Sequence, residues 1–263
     1  RMNRFKSLPK YMVAPNGARK DKSDHPNLPI TIDEIVEESK NCYLNGADGI
    51  HAHVRDKKGT HVLDSGLYKE LIKELAKKVP QLPVQITTEA IGIYSPKDQI
   101  KVVKEVKPES ASVALIEMIP NDKDKDLASQ FYYWSLDNDV QIQHILYSPK
   151  DLETLVKLMK LKIIPSKNLQ VLFVLGKYKL NFESKVSDLD PFTIIQKNFS
   201  DNMDWAVCAF GKDETDCLLK ALSLGGKARV GFENNLYNRD GSLAKYNAER
   251  VAEIVNFSKK PNP

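Results

Sequence analysis

The chain has 263 residues, 41% of them hydrophobic, and its 39 basic and 35 acidic side chains leave a formal charge of +4. That is enough apolar material for a full core, and the near balance of charge, spread along the whole chain, argues against a nucleic-acid partner or a disordered tail. Cys42, Cys208 and Cys217 stand far apart without paired spacing, which argues against a disulfide framework and points to a reducing cytoplasm; no apolar run approaches the ~20 residues of a membrane helix, and residues 1–6 lack the apolar core of a signal peptide.

Strand and helix signals then alternate. Residues 11–14 are a short apolar run closed by Pro15, Asn16 and Gly17, a turn signal, and read as a first strand. A polar loop at 18–29 leads to Thr31 and Glu34, spaced as a capping box, and to a helix running to Asn45 with Gly46 behind it. Residues 50–54 read as the second strand and 65–79 as an amphipathic helix with Leu67, Leu71, Ile72 and Leu75 inward. The third strand is 84–88, and its helix opens at Ser95 and Pro96, where serine suits the cap and proline the first helical position. The fourth strand, 110–115, is followed by a helix containing Leu127, Phe131 and Trp134. The fifth, 140–146, is followed by a helix starting at Ser148 and Pro149. Strands at 169–175 and 204–209 come next, with helices opening at Asp190 and at Asp213; an eighth strand, 227–232, precedes a last helix from about 244 to 257.

Eight strand-then-helix units without insertion predict an α/β fold, a (β/α)8 TIM barrel in one domain over residues 1–263. An open doubly wound sheet is the alternative, because pattern alone does not show closure. The long polar connections 18–29 and 177–190 each follow a strand and are expected over the barrel mouth.

Active sites of such barrels lie at the C-terminal ends of the strands. His51 and His53 are two apart in the second strand, so alternation puts both imidazoles on one face. Two neutral nitrogens on one face suit Zn²⁺ or a neighbouring metal; the same pair also reads as a polar pair on a sheet surface. Arg229, Gly231 and Glu233 share a face of the eighth strand by the same alternation, and closure leaves only the first strand between them and the histidines. Glu233 then completes a His-His-Glu set with an open position, the pattern of a catalytic zinc; alone, it reads as a carboxylate paired with Arg229. Asn16, Arg19, Thr87, Thr88, Ser112 and Tyr147 fall at other strand ends as candidate substrate contacts, with Glu89 and Glu117 beside them. The two threonines are equally explained as strand formers. His144 reads as a hydrogen-bonded core residue, and His25 and His61 as loop residues without function.

Four runs carry a resemblance: GADGIHAHVRD at 46–56, VQITT at 84–88, FVLG at 173–176 and RVGFENN at 229–235. Together, and in register over nearly the whole chain, they resemble the β-keto acid cleavage enzymes, whose founding activity is 3-keto-5-aminohexanoate cleavage. The resemblance implies a zinc-dependent barrel, usually a homotetramer, that converts a β-keto acid and acetyl-CoA into acetoacetate and a new acyl-CoA. By position it makes His51, His53 and Glu233 the metal ligands, Arg229 the active-site arginine and Thr87 a substrate contact. The chain departs from the pattern at three places. Asn234 stands where the family has an aspartate general base, Arg19 where it has a glutamate, and Glu89 where it has a glycine. An amide cannot accept a proton at neutral pH. Glu89 is therefore expected either to take over as the carboxylate or to pair with Arg19. A metal-dependent aldolase or hydrolase, or a non-catalytic metabolite-binding protein, are the competing functions, since fold and metal do not fix a reaction.

Overall fold

Strands whose positions are nearly all buried, separated by amphipathic helices, have to be covered on both faces, which parallel sheets achieve. In the computed structural model, described for residues 2–199 and 202–260, the strands close into an eight-stranded, all-parallel barrel in sequence order. The strands are β1 Tyr11–Val13, β2 Gly49–Ala52, β3 Val84–Thr87, β4 Ser110–Ala114, β5 Gln141–Leu146, β6 Gln170–Leu175, β7 Asp204–Ala209 and β8 Lys227–Val230. Pairing of β1 with both β2 and β8 removes the open-sheet alternative.

The surrounding helices are α1 Ile32–Leu44, α2 Ser65–Lys78, α3 Pro96–Val106, α4 Leu115–Met118, α5 Lys125–Asp137, α6 Pro149–Lys160, α7 Asp190–Lys197, α8 Glu214–Ser223 and α9 Asn247–Ser258. Their starts follow the capping chemistry. Ser95 and Ser148 accept hydrogen bonds from the backbone N–H groups of Asp98 and Asp151, and a proline follows each cap. Thr31 caps α1 by accepting from Glu34, whose own carboxylate reaches back to Ile30 N, so the expected box is only half closed. No helix among the described residues is long and apolar enough to cross a membrane.

Several boundaries differ from expectation by one to three residues, among them the end of β2 at Ala52. Helix α4, a single turn directly after β4, was not anticipated; α9 begins at Asn247, three residues later than expected; and β8 stops at Val230. The last difference has a local cause. Gly231 takes φ +146°, a conformation closed to most L-residues, and the chain turns there, with the N–H groups of Asn234 and Asn235 both donating to Gly231 O.

The barrel interior is part apolar and part polar. An apolar cluster joins Leu8 to the inward residues Ala114, Ile145, Leu172, Val174, Ala206 and Cys208 of β4 to β7. On the β2 to β6 side runs a ladder of side-chain amides: Gln143 Nε2 donates to Val171 O, and Gln85 Nε2 donates to Gln143 Oε1 and to Ser110 Oγ. The N-terminal segment closes the barrel floor. Asn3 donates to the carbonyls of Glu109 and Asp139, Gln170 Nε2 donates to Phe5 O, and Leu8 N donates to Asp204, whose carboxylate also pairs with Lys227.

Candidate active site at the barrel mouth

His51 belongs to β2, and His53 lies just past its end in the same extended direction, so the two rings project together. Their Nε2 atoms are 3.1 Å apart. Glu233 reaches them from the turn after Gly231, not by strand alternation as expected, with Oε1 at 2.6 Å from His53 Nε2 and 3.8 Å from His51 Nε2. Arg229, from β8 itself, holds the other oxygen of Glu233 at 2.8 Å. His51, His53 and Glu233 present donor atoms that all lie within 4.8 Å of one another, which suits one metal ion.

The electrostatics fit that use. Burial, reinforced by the Arg229 guanidinium, holds His51 well below the ordinary imidazole range and hence neutral. Burial would raise Glu233, but Arg229 and the two imidazoles outweigh it and hold the carboxyl well below its usual range. The tautomer of His51 follows from its neighbour. Gln85 uses its NH₂ on Ser110 and Gln143, so Oε1 faces His51 Nδ1 at 2.7 Å. An amide oxygen only accepts; Nδ1 therefore carries the hydrogen, and Nε2 offers a bare lone pair. A neutral nitrogen, a second imidazole and an ionised carboxylate converging at this distance make a donor set suited to Zn²⁺.

These groups stand on the wall of a cavity of about 480 Å³ at the mouth, walled in part by the loops after β1 and β6 through Arg19, Lys20, Lys177 and Phe182. That is the placement expected for both long connections. Asn16, Thr87, Thr88, Glu89, Tyr147, Arg229 and Asn234 also line it. Ser112 does not: it is fully buried in the barrel interior, in register with Thr87 and Gln143. Thr87 Oγ1 accepts from Glu89 N and keeps its own O–H to donate, while Thr88 donates to Ser112 O. Asn16 donates to the carbonyls of His53 and Pro29 and fixes the end of β2. Arg229 Nε and Nη1 and both amide atoms of Asn234 are buried without a partner, although they border the cavity.

Glu89 is paired twice, with Lys177 at 3.4 Å and Arg19 at 3.6 Å, and its Oε2 stands 3.9 Å from His53 Nδ1. Glu117, on α4, accepts from Ala90 N and Gln99 Nε2. Burial, with Glu89 adding to it, raises its carboxyl to about 7. Lys20 donates to Glu233 O, and burial lowers its ammonium.

Two histidines expected to be idle loop residues are buried. His25 stacks on Phe232 and bonds Ala244 O, tying the β1 loop to the approach of α9. His61 lies beside His53. The signal for His61 was the turn at Asp56 and Gly59: the chain doubles back there, pairing Arg55 with His61 and returning the latter toward His53. His144 is a core residue as expected, but it faces Tyr132 between barrel and helices, and its Nδ1 has no hydrogen-bond partner.

The family model for β-keto acid cleavage enzymes matches residues 12–262. The chain belongs to the β-keto acid cleavage enzyme family. As a member of that family it is an enzyme. A 3-keto-5-aminohexanoate cleavage enzyme of Fusobacterium nucleatum is 26% identical to it over 251 residues, covering 93% of this chain and 89% of the relative. A 3-oxoadipate:acetyl-CoA acetyltransferase of Cupriavidus necator is 22% identical over 254 residues, covering 92% and 86%. Among solved structures, apo ObcA shares the fold with a TM-score of 0.68 at 15% identity; the match takes in 88% of this chain and 62% of that one.

Proposed function

We propose that this member of the β-keto acid cleavage enzyme family is a zinc enzyme that exchanges acyl groups between a β-keto acid and acetyl-CoA, releasing acetoacetate and a new acyl-CoA. The observation that carries the reading is the convergence of His51 Nε2, His53 Nε2 and Glu233 Oε1 at one end of a 480 Å³ cavity. A divalent cation held there supplies a Lewis acid for the keto oxygen. The names of the two bacterial relatives support the substrate class and the use of acetyl-CoA.

The chain's own residues divide the remaining work. Arg229 keeps Glu233 in place with Nη2, and its unpartnered Nη1 receives an oxygen of the substrate carboxylate. Asn234 offers an unpartnered amide to the reacting oxygens but takes no proton. Glu89 is the carboxylate assigned to remove the proton between the ketone and the carboxylate of the keto acid. The resulting carbanion attacks the thioester carbonyl of acetyl-CoA. The thioester C–S bond breaks and expels the CoA thiolate, which adds to the C3 carbonyl of the keto acid. The bond between C2 and C3 then breaks, C2 takes back the proton held by Glu89, and acetoacetate and the new acyl-CoA are the products. Thr87, Thr88, Asn16 and Tyr147 shape the wall around the acyl chain, and Arg19 and Lys177 orient Glu89. Assembly into a homo-oligomer is part of the same reading.

The test combines metal analysis of the purified protein with a CoA-transfer assay over a panel of β-keto acids. One zinc per chain and CoA-dependent turnover of some of them is the expected result. Turnover without CoA favours a metal-dependent aldolase or hydrolase. His51→Ala loses both zinc and turnover, whereas Glu89→Gln keeps zinc and loses at least tenfold in rate, in line with removal of a general base. Loss of zinc in Glu89→Gln sinks this division of roles.

A further inference from the structure

His61 lies behind the metal cluster, 1% exposed, with each ring nitrogen engaged. Its Nε2 is 2.9 Å from the carbonyl oxygen of Glu89, and its Nδ1 is 3.2 Å from Nδ1 of His53. A carbonyl oxygen only accepts, so Nε2 of His61 carries the hydrogen. In the neutral ring that leaves Nδ1 as a lone pair. The 3.2 Å contact is then a hydrogen bond only if His53 donates from Nδ1. The 2.6 Å contact of its Nε2 with Glu233 Oε1 also calls for a hydrogen in the metal-free chain, and a bound cation would take that hydrogen's place and leave Nε2 as a bare ligand. The other acid near this edge of His53, Glu89 Oε2, stands 3.9 Å away, beyond hydrogen-bond reach.

We propose that His61 is a positioning residue for the metal centre: by accepting the Nδ1–H of His53 it fixes that ring with Nε2 facing Glu233 as the ligand atom, and so sets how tightly His51, His53 and Glu233 hold a divalent cation. The inference rests on the metal reading above. A metal-bound histidine ordinarily directs its outer N–H at a carboxylate, a backbone carbonyl or water. Here a second imidazole stands between the ligand and the backbone of Glu89. The chain His53, His61, Glu89 O thereby joins one metal ligand to the loop that carries the assigned base, through the hairpin that pairs Arg55 with His61.

Two isosteres separate the ring's two bonds. Asparagine places an oxygen near the position of Nδ1 and keeps the bond to His53; glutamine reaches the position of Nε2 and keeps only the bond to Glu89. Zinc affinity is measured for the parent chain, His61→Asn and His61→Gln by competition with a chromophoric chelator, alongside the visible absorption of the cobalt-loaded forms. The expected result is affinity within about threefold of the parent for His61→Asn, and a loss of about 10–100-fold with a shifted cobalt band for His61→Gln. A His61→Gln chain as tight as the parent, or two variants equally weak with the same cobalt spectrum, overturns the proposal. A parent chain that binds no zinc instead overturns the metal reading itself.

Discussion

Glu117 carries an acid whose proton is held near neutrality by burial first and by Glu89 second, at about 7 against 4.5 for a free side chain. Between those values the folded chain keeps a proton that the unfolded chain has released, so this residue makes stability fall as pH rises through the window. Glu117→Gln removes the dependence. Denaturant unfolding at pH 5 and pH 8 is expected to show the variant gaining on the parent at the higher pH by on the order of 2 kcal/mol, and parallel profiles contradict the assignment. At this scale the sequence was legible where chemistry repeats with strand period, as in His51 and His53. It was not legible for Glu117, whose environment comes from Glu89 and Ala90 in the loop after β3 and from Gln99 on α3. Nor was it for His61, where polar neighbours in sequence hid a buried ring.

Among the elements, β8 and its turn show that Glu233 comes to the histidines by a route that alternation did not describe. Alternation predicted Arg229 and Glu233 on one face; Glu233 does meet the histidines, and Arg229 reaches the group through its bond to Glu233. Strand geometry accounts only for Arg229, because the chain leaves the strand at Gly231 and Glu233 arrives from the turn. A Cβ at Gly231 would stand 2.3 Å from Ala14 O, a backbone atom, and φ +146° is strained for any other residue. Gly231→Ala is therefore expected to cost about 2–4 kcal/mol in chemical denaturation and to weaken zinc binding by moving Glu233. Stability and metal affinity both within error of the parent would show that the turn relaxes freely. The α3 and α6 starts were readable because serine and proline act locally. The single turn of α4 was not, since four residues give no period to detect.

Over the whole molecule, a buried ion pair fastens the mouth to the outer helices. Arg250 of α9 and Glu214 of α8, both fully buried, meet at 2.8 Å. Glu214 also accepts from Gly231 N and Asn235 Nδ2, so the turn that carries Glu233 hangs on this carboxylate. Glu214→Ala leaves a buried guanidinium without its main partner and is expected to cost about 3–5 kcal/mol, read as a lower urea midpoint. A cost below 1 kcal/mol would mean that Glu253 and Thr215, which also bond Arg250, suffice. The count of eight units was legible because each strand is buried on both faces; closure and the polar interior were not, as both depend on pairings between distant residues.

The amide ladder inside the barrel bears on how the site exchanges protons. From His51 Nδ1 the hydrogen bonds run to Gln85, from Gln85 to Gln143 and from Gln143 to Val171 O. Each link is a carboxamide or a peptide carbonyl, and neither gains nor loses a proton in the ordinary pH range. Beneath the histidines the barrel therefore behaves as a proton insulator. The hydrogen on His51 Nδ1 is stationary, and protons exchange with the candidate site from the side of the open rim, where Glu89 and Glu117 stand.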